Sequence, residues 1–288
     1  MTGKKEQQAP ELYLIAGCGG KAVLKAVAQS PLRERLLIRN DSCLRTEGFS
    51  QKLMNKLIFF APEGTVASTL TELEALFPVE SIFHNPKTGE GESLKVSPCP
   101  NGGQAKGQLL VSLEIQKKPY RIPIQLEILP YQGQGGYPQE ETLPEGISGK
   151  GTISYCKFNA EEYLARCFYQ VLDSLEWLDD FLWYQEIYSI LSQKAVNGRK
   201  VWDSLRRLLL EKPIPFVQNR LDTLKGYEGY APMADRWDAL HAGMERPYPT
   251  WQEAIRLLGE FYTPIFEGIL KDEIFFGDWM PQLKRYLD

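Results

Sequence analysis

The first stretch able to do chemistry is Gly17-Cys18-Gly19-Gly20, which follows the short apolar run Leu12–Ala16. A glycine turn that opens a helix lets backbone N–H groups approach a phosphate closely. Gly19 and Gly20 are therefore candidate cofactor-binding residues. Lys21, and Lys25 one turn later, would reach the same phosphate. A ligand-free helix start explains the glycines equally well, and surface lysines are commoner than phosphate contacts. Gly-Cys-Gly-Gly is not G-x-G-x-x-G, and no acid ends a clear second strand, so a dinucleotide site is the weaker reading.

Carboxylates are the second class of candidate. Glu127 stands in an apolar frame, Gln125-Leu126-Glu127-Ile128, and Glu114 occupies a similar position on its own strand. On alternating strands both fit a water-facing role. Asp179 and Asp180, read as adjacent residues on a helix, point about 100° apart and fit a solvated edge better than a metal pair. Lys194, Arg199, Lys200, Arg206 and Arg207 form a local basic cluster that suits nucleic acid, an acidic partner or a plain charged face. Trp177, Phe181, Trp183, Tyr184 and Tyr188 could stack on bases, but at helical spacing they read as core.

Composition narrows the classes. The chain has 288 residues, a formal charge of −4 and a pI near 5.5, which opposes general nucleic-acid coating. Five cysteines, odd in number and never in C-x-x-C, suggest reduced thiols rather than a disulfide framework or a zinc site. With His84 and His241 far apart, a Ser-His-Asp triad is disfavoured. The polar start MTGKKEQQAPE is no signal peptide, and no apolar run nears the ~20 residues of a membrane span. The expectation is a soluble cytoplasmic protein with no membrane partner.

The elements that must position these residues follow from periodicity. Lys21–Gln29 reads as a helix stopped by Pro31, Leu36–Ile38 and Leu57–Phe60 as strands, and Thr65–Phe77 as an amphipathic helix. Residues 84–107 and 131–151 read as long surface loops. Gln108–Gln116 and Tyr120–Leu129 alternate strictly and flank a short link, so they form an antiparallel pair. Thr152–Phe158 is a further strand. From Asn159, which with Glu162 forms a capping box, the chain turns helical. Helices are expected at Leu178–Gln193, Val201–Leu210, Ala234–Met244 and Thr250–Phe261, the last bent or ended by Pro264. The fold class is α+β, with an α+β domain over 1–155 and an α-helical domain over 156–288 extending to about Leu287.

This order of elements resembles the abortive-infection nucleotidyltransferases of the AbiEii/AbiGii type, toxins of bacterial toxin–antitoxin pairs. The likeness rests on Gly19-Gly20 with its helix, the strand–helix pair Asn55–Phe77, the acid-bearing strand Gln125–Ile128, the junction Asn159–Arg166, and Trp237 with Thr250–Pro264. It implies a nucleotidyltransferase-like mixed sheet followed by an α-helical domain. Nucleotidyl transfer needs Mg²⁺ between the attacking hydroxyl and the triphosphate, held by two acids two residues apart on one strand face and a third on a neighbouring strand. In the family the paired acids sit in R-x-S-x-D-x-D.

Laid over Lys52–Phe60, "KLMNKLIFF", that motif places Lys52 at the arginine, Met54 at the serine, and Lys56 and Ile58 at the two acids. A lysine ammonium repels Mg²⁺ and an isoleucine offers no oxygen, whereas Glu127 matches the third acid. The resemblance thus implies a degenerate member with no metal or cofactor, a nucleotide- or partner-binding module in a defence or mobile-element setting. Its partner would be an antitoxin or complex subunit, or a nucleotide or RNA on the basic cluster. Two alternatives stay open. One is an active transferase, Mg²⁺-dependent, whose catalytic acids Asp41, Glu47 and Glu127 come from unaligned positions. The other is a structural component of a larger assembly.

Overall fold

The computed structural model describes residues 9–39, 41–45, 56–84, 88–99, 110–131, 138–145, 151–242 and 248–287. The expectations at Glu47, Lys52 and Met54 lie outside the described residues. The chain divides into two compact units, Met1–Phe158 and Asn159–Asp288. The architecture is α+β, a mixed sheet in the first unit and mainly helices in the second.

In the first unit, α1 (Ala9–Ala28) runs unbroken through Gly19-Gly20. The expected apolar run, glycine turn and helix are one helix. Ile15, Ala16, Gly19, Gly20, Val23 and Val27 recur at three- and four-residue spacing and are all buried, so a continuous stripe outweighs the glycines' low helix propensity. The glycines are there for close approach. A Cβ on Gly19 would lie 2.3 Å from Ile115 Cδ1, and one on Gly20 2.7 Å from Leu44 Cδ2.

The strands and helices that follow are β1 (Leu37–Ile38), α2 (Ser42–Arg45), β2 (Lys56–Pro62), α3 (Val66–Glu74), β3 (Val79–His84), β4 (Gly91–Pro98), β5 (Leu110–Lys117), β6 (Tyr120–Tyr131), β7 (Gln139–Pro144) and β8 (Thr152–Lys157). Six strands form one sheet in the order β1-β2-β6-β5-β4-β3, and β7 pairs with β8. Only β2 and β6 run parallel among the paired strands of that sheet. β5 and β6 are antiparallel as their alternation predicts, with Leu113 opposite Ile124 and Ile115 opposite Ile122. Ile122, Ile124, Leu126 and Ile128 are buried.

Two expected loops contain strands. β4 lies within 84–107 and β7 within 131–151. Their composition is turn-like, and β4 buries only Leu94 and Val96 while β7 buries only Leu143. Pairing with β3, β5 and β8 makes them strands, a tertiary override of weak local preference.

In the second unit, α4 (Ala160–Ser174) starts at Asn159, whose side chain accepts the Glu162 N–H at 2.8 Å. Then come α5 (Leu182–Gln193), β9 (Val196–Asn197), α6 (Gly198–Glu211), α7 (Val217–Gly226), α8 (Ala231–His241), α9 (Trp251–Lys271), β10 (Asp278–Met280) and β11 (Arg285–Leu287). α9 opens with both bonds of a capping box between Thr250 and Glu253, and it continues through Pro264. The proline removes one N–H, but Phe261, Tyr262, Ile265 and Phe266 are buried on both sides of it and hold the helix together.

The unit is not all-helical. β9, β10 and β11 form a small antiparallel sheet around Trp279, which is fully buried and donates from Nε1 to the Leu191 carbonyl at 2.8 Å. Strands of two or three residues leave no periodicity to read. Asp179 and Asp180 precede α5 rather than riding on it, and Asp180 Oδ1 accepts the Leu182 N–H at 3.0 Å. Phe181, Trp183 and Tyr184 are buried and Tyr188 half-buried, but Trp177 is 82% exposed.

Candidate functional site

The parallel register of β2 and β6 sets Lys56 beside Gln125, Ile58 beside Glu127 and Phe60 beside Leu129. Alternation sends Leu57, Phe59 and Ala61 into the core with Leu126, Ile128 and α1. Lys56, Ile58, Phe60 and Glu127 therefore share the opposite face. There the Lys56 Nζ lies 2.5 Å from Glu127 Oε2, the two side chains 33% and 20% exposed. Ile58 is fully buried, and its carbonyl accepts the Arg39 N–H at 2.8 Å. Beyond it, the Phe60 and Tyr131 rings each pack 5.2 Å from Phe158.

This donor set does not fit a divalent metal. Of the three positions the resemblance points to, one carries an ammonium, one a hydrocarbon, and the sole carboxylate is already neutralised by that ammonium. Among the described residues no group of three or more His, Cys, Asp or Glu is placed to hold a metal ion.

Asp41 belongs to a different constellation. Its Oδ2 accepts from the Tyr155 hydroxyl at 2.6 Å, from Arg45 Nε at 2.9 Å and from Lys157 Nζ at 3.2 Å. Arg45 also reaches the Tyr155 hydroxyl at 2.5 Å and Glu141 at 3.2 Å. Burial pushes the Asp41 carboxyl upward, but the Lys157 charge and the bonds from Tyr155 and Arg45 outweigh it and hold the group below the usual range. Burial, with the Asp41 charge next, pushes the Tyr155 phenol far up. A carboxylate with three donors on one oxygen is a tie between α2 and β8, poorly suited to bind a metal or take a proton. Glu141, Tyr155 and Lys157 gave no signal in the sequence, because their partners lie up to 116 residues away, while Arg45 stands only four residues from Asp41.

Gly19, Gly20 and Lys21 sit on α1, against the core face of the sheet, so the structure does not bring them to the Glu127 face. The expected phosphate-facing turn is absent, since both glycines are inside a helix whose N–H groups are bonded along its length. Lys21 is half-buried and lines a small cleft with Lys25, Ser81 and Glu145. In the second unit the arginines of the basic cluster are matched by acids: Arg199 with Asp203 at 2.9 Å, Arg206 with Asp272 at 2.8 Å and Arg207 with Glu162 at 2.6 Å.

No protein-family profile matches the sequence, and no curated protein matches it. No helix among the described residues is long and apolar enough to cross a membrane. Among solved structures, MenT4, a nucleotidyltransferase toxin from Mycobacterium tuberculosis H37Rv, is similar over 88% of this chain and 85% of its own, at 12% identity and a TM-score of 0.56. JHP933 from Helicobacter pylori aligns over 87% of this chain and 90% of its own, at 12% identity and a TM-score of 0.42. At such identity the likeness to MenT4 is one of fold, and the mixed sheet followed by a helical region is a nucleotidyltransferase-like fold.

Proposed function

We propose that this chain is a degenerate nucleotidyltransferase-like protein of the abortive-infection type, one that binds a partner instead of transferring nucleotides. The observation that carries this reading is the Lys56–Glu127 ion pair, which puts a tethered cation where the fold would need acids around a metal. Ile58, opposite Glu127 in the register, supplies apolar burial in place of the second acid. The arginines of the basic cluster already carry acidic partners, which favours a protein partner over a nucleic acid. The similarity to MenT4, a nucleotidyltransferase toxin, supports an antitoxin-like protein or a complex subunit as that partner, in a cytoplasmic defence or mobile-element setting.

The test is calorimetric and enzymatic. Titration with Mg²⁺ or Mn²⁺ is expected to give no binding at this site, and incubation with labelled nucleoside triphosphates and tRNA no transferred label. The combined change Lys56→Asp with Ile58→Asp should create metal affinity, because Glu127 then completes a three-carboxylate cluster. Robust transfer by the unaltered protein, lost on Asp41→Asn or Glu127→Gln, would instead establish an active transferase with unaligned acids. A folded double variant that binds no metal would leave the structural-component reading in its place.

A further inference from the structure

β7 has little apolar anchorage. Leu143 is its one buried side chain, and its ladder to β8 runs six pairs, from Gln139 opposite Lys157 to Pro144 opposite Thr152. The remaining anchorage is ionic and reaches out in several directions. Glu140 bonds Arg33, beyond the end of α1, at 2.5 Å, and also accepts from the Ser154 hydroxyl. Glu141 meets Arg45 of α2 at 3.2 Å and Lys157 of β8 at 3.6 Å. Glu145, just past the strand, pairs with Lys25 of α1, and its N–H bonds the Gly151 carbonyl at 3.1 Å.

The two ends and both faces of β7 are thus tied by carboxylates. Glu140 and Glu141 are neighbours on a strand and so point to opposite sides. The glutamate side chains are 61%, 24% and 36% exposed. Exposed pairs of this kind are individually weak and are screened by salt. By contrast, β5 and β6 bury alternate apolar side chains along their length, in addition to ion pairs such as Lys117 with Glu92 and Lys56 with Glu127.

We infer that β7 is a charge-latched strap, a strand that detaches from β8 as a unit when salt screens Glu140, Glu141 and Glu145 from Arg33, Arg45 and Lys25, while the six-stranded sheet stays intact. Detachment frees the outer edge of β8 together with Arg33 and Lys25, while Arg45 and Lys157 keep Asp41 as their partner. This inference does not depend on the Lys56–Glu127 reading.

Hydrogen exchange on the full chain, followed by mass spectrometry at 0.05 M and 1 M NaCl, tests it. Exchange over 139–144 should accelerate about tenfold at high salt, as expected when several weak surface pairs are screened together, with 110–117 and 120–131 unchanged. The variant Glu140→Gln with Glu145→Gln should exchange faster over 139–144 at low salt and respond less to added salt. Exchange in β7 that ignores salt, or that rises in step with β5 and β6, overturns the latch. So does a folded double variant that behaves as the parent does. If the double variant fails to fold, the salt series on the unaltered chain still decides between these outcomes.

Discussion

The Lys56 ammonium lies 2.5 Å from the Glu127 carboxylate, across two parallel strands and beside a buried Ile58. The pair is partly shielded from water, so its attraction exceeds that of a freely exposed pair. A double-mutant cycle with Lys56→Met and Glu127→Gln, read by urea unfolding, should return a coupling of about 1 kcal/mol. Coupling indistinguishable from zero would mean that the two side chains do not hold each other in solution.

Replacing Ile58 by Asp in the metal-restoring variant removes apolar burial worth about 1.5–3 kcal/mol. The metal-free double variant should therefore melt below the parent, and added Mn²⁺ should recover part of the loss by mass action. A melting temperature that is unchanged without metal would place Ile58 outside the core.

Asp41 makes stability depend on acid. Its carboxyl titrates lower in the folded chain than the ~3.9 of an unfolded aspartate, so the unfolded state binds the proton first. The stabilisation is present above the unfolded value and is lost as pH falls through the folded one. Unfolding followed from pH 6 down to pH 3 should show a steeper loss in the parent than in Asp41→Asn. At pH 7 that variant should already be weaker by on the order of 2 kcal/mol, because the Arg45 and Lys157 cations lose the buried negative charge they pair with.

Gly19→Ala separates helix propensity from packing. In an exposed helix the change would gain about 1 kcal/mol. Here the new methyl would meet Ile115 Cδ1 at 2.3 Å, Cγ1 at 2.6 Å and Cγ2 at 3.1 Å, so rotating one terminal methyl cannot clear it. A net loss of about 1–2 kcal/mol is expected, typical of overpacking. Ile115→Val in the same chain should recover part of it. A stabilised Gly19→Ala variant would refute the close helix–sheet approach.

Asn159→Ala and Thr250→Ala each remove a side-chain acceptor from the first turn of a long helix, α4 and α9 respectively. Each should cost about 1 kcal/mol, seen as a lower midpoint in thermal unfolding. Thr250 also sits in a reciprocal box with Glu253, so Glu253→Ala should reproduce much of the Thr250→Ala effect.

Periodicity alone determined what local geometry can encode. The alternation of Leu113, Ile115, Ile122, Ile124 and Leu126 specified two strands and which face they bury, since side chains repeat every two residues on a strand. Asn159 and Thr250 marked helix starts because capping is a contact within one turn. That Lys56 and Ile58 fall where the resemblance expects acids was legible from the sequence alone. The tertiary structure decided everything that depends on a distant partner. It turned the expected Gly19-Gly20 turn into the interior of α1, because Ile115 offers a surface that only a side-chain-free helix face can approach. It made strands of β4 and β7, whose own residues favour turns but whose backbone groups find ladders. It also gave Asp41 and Glu127 different cations: Lys157 joins the neighbouring Arg45 on one, and Lys56 meets the other. Electrostatic pairing acts through space, and a carboxylate's role is set by the charges that folding brings to it.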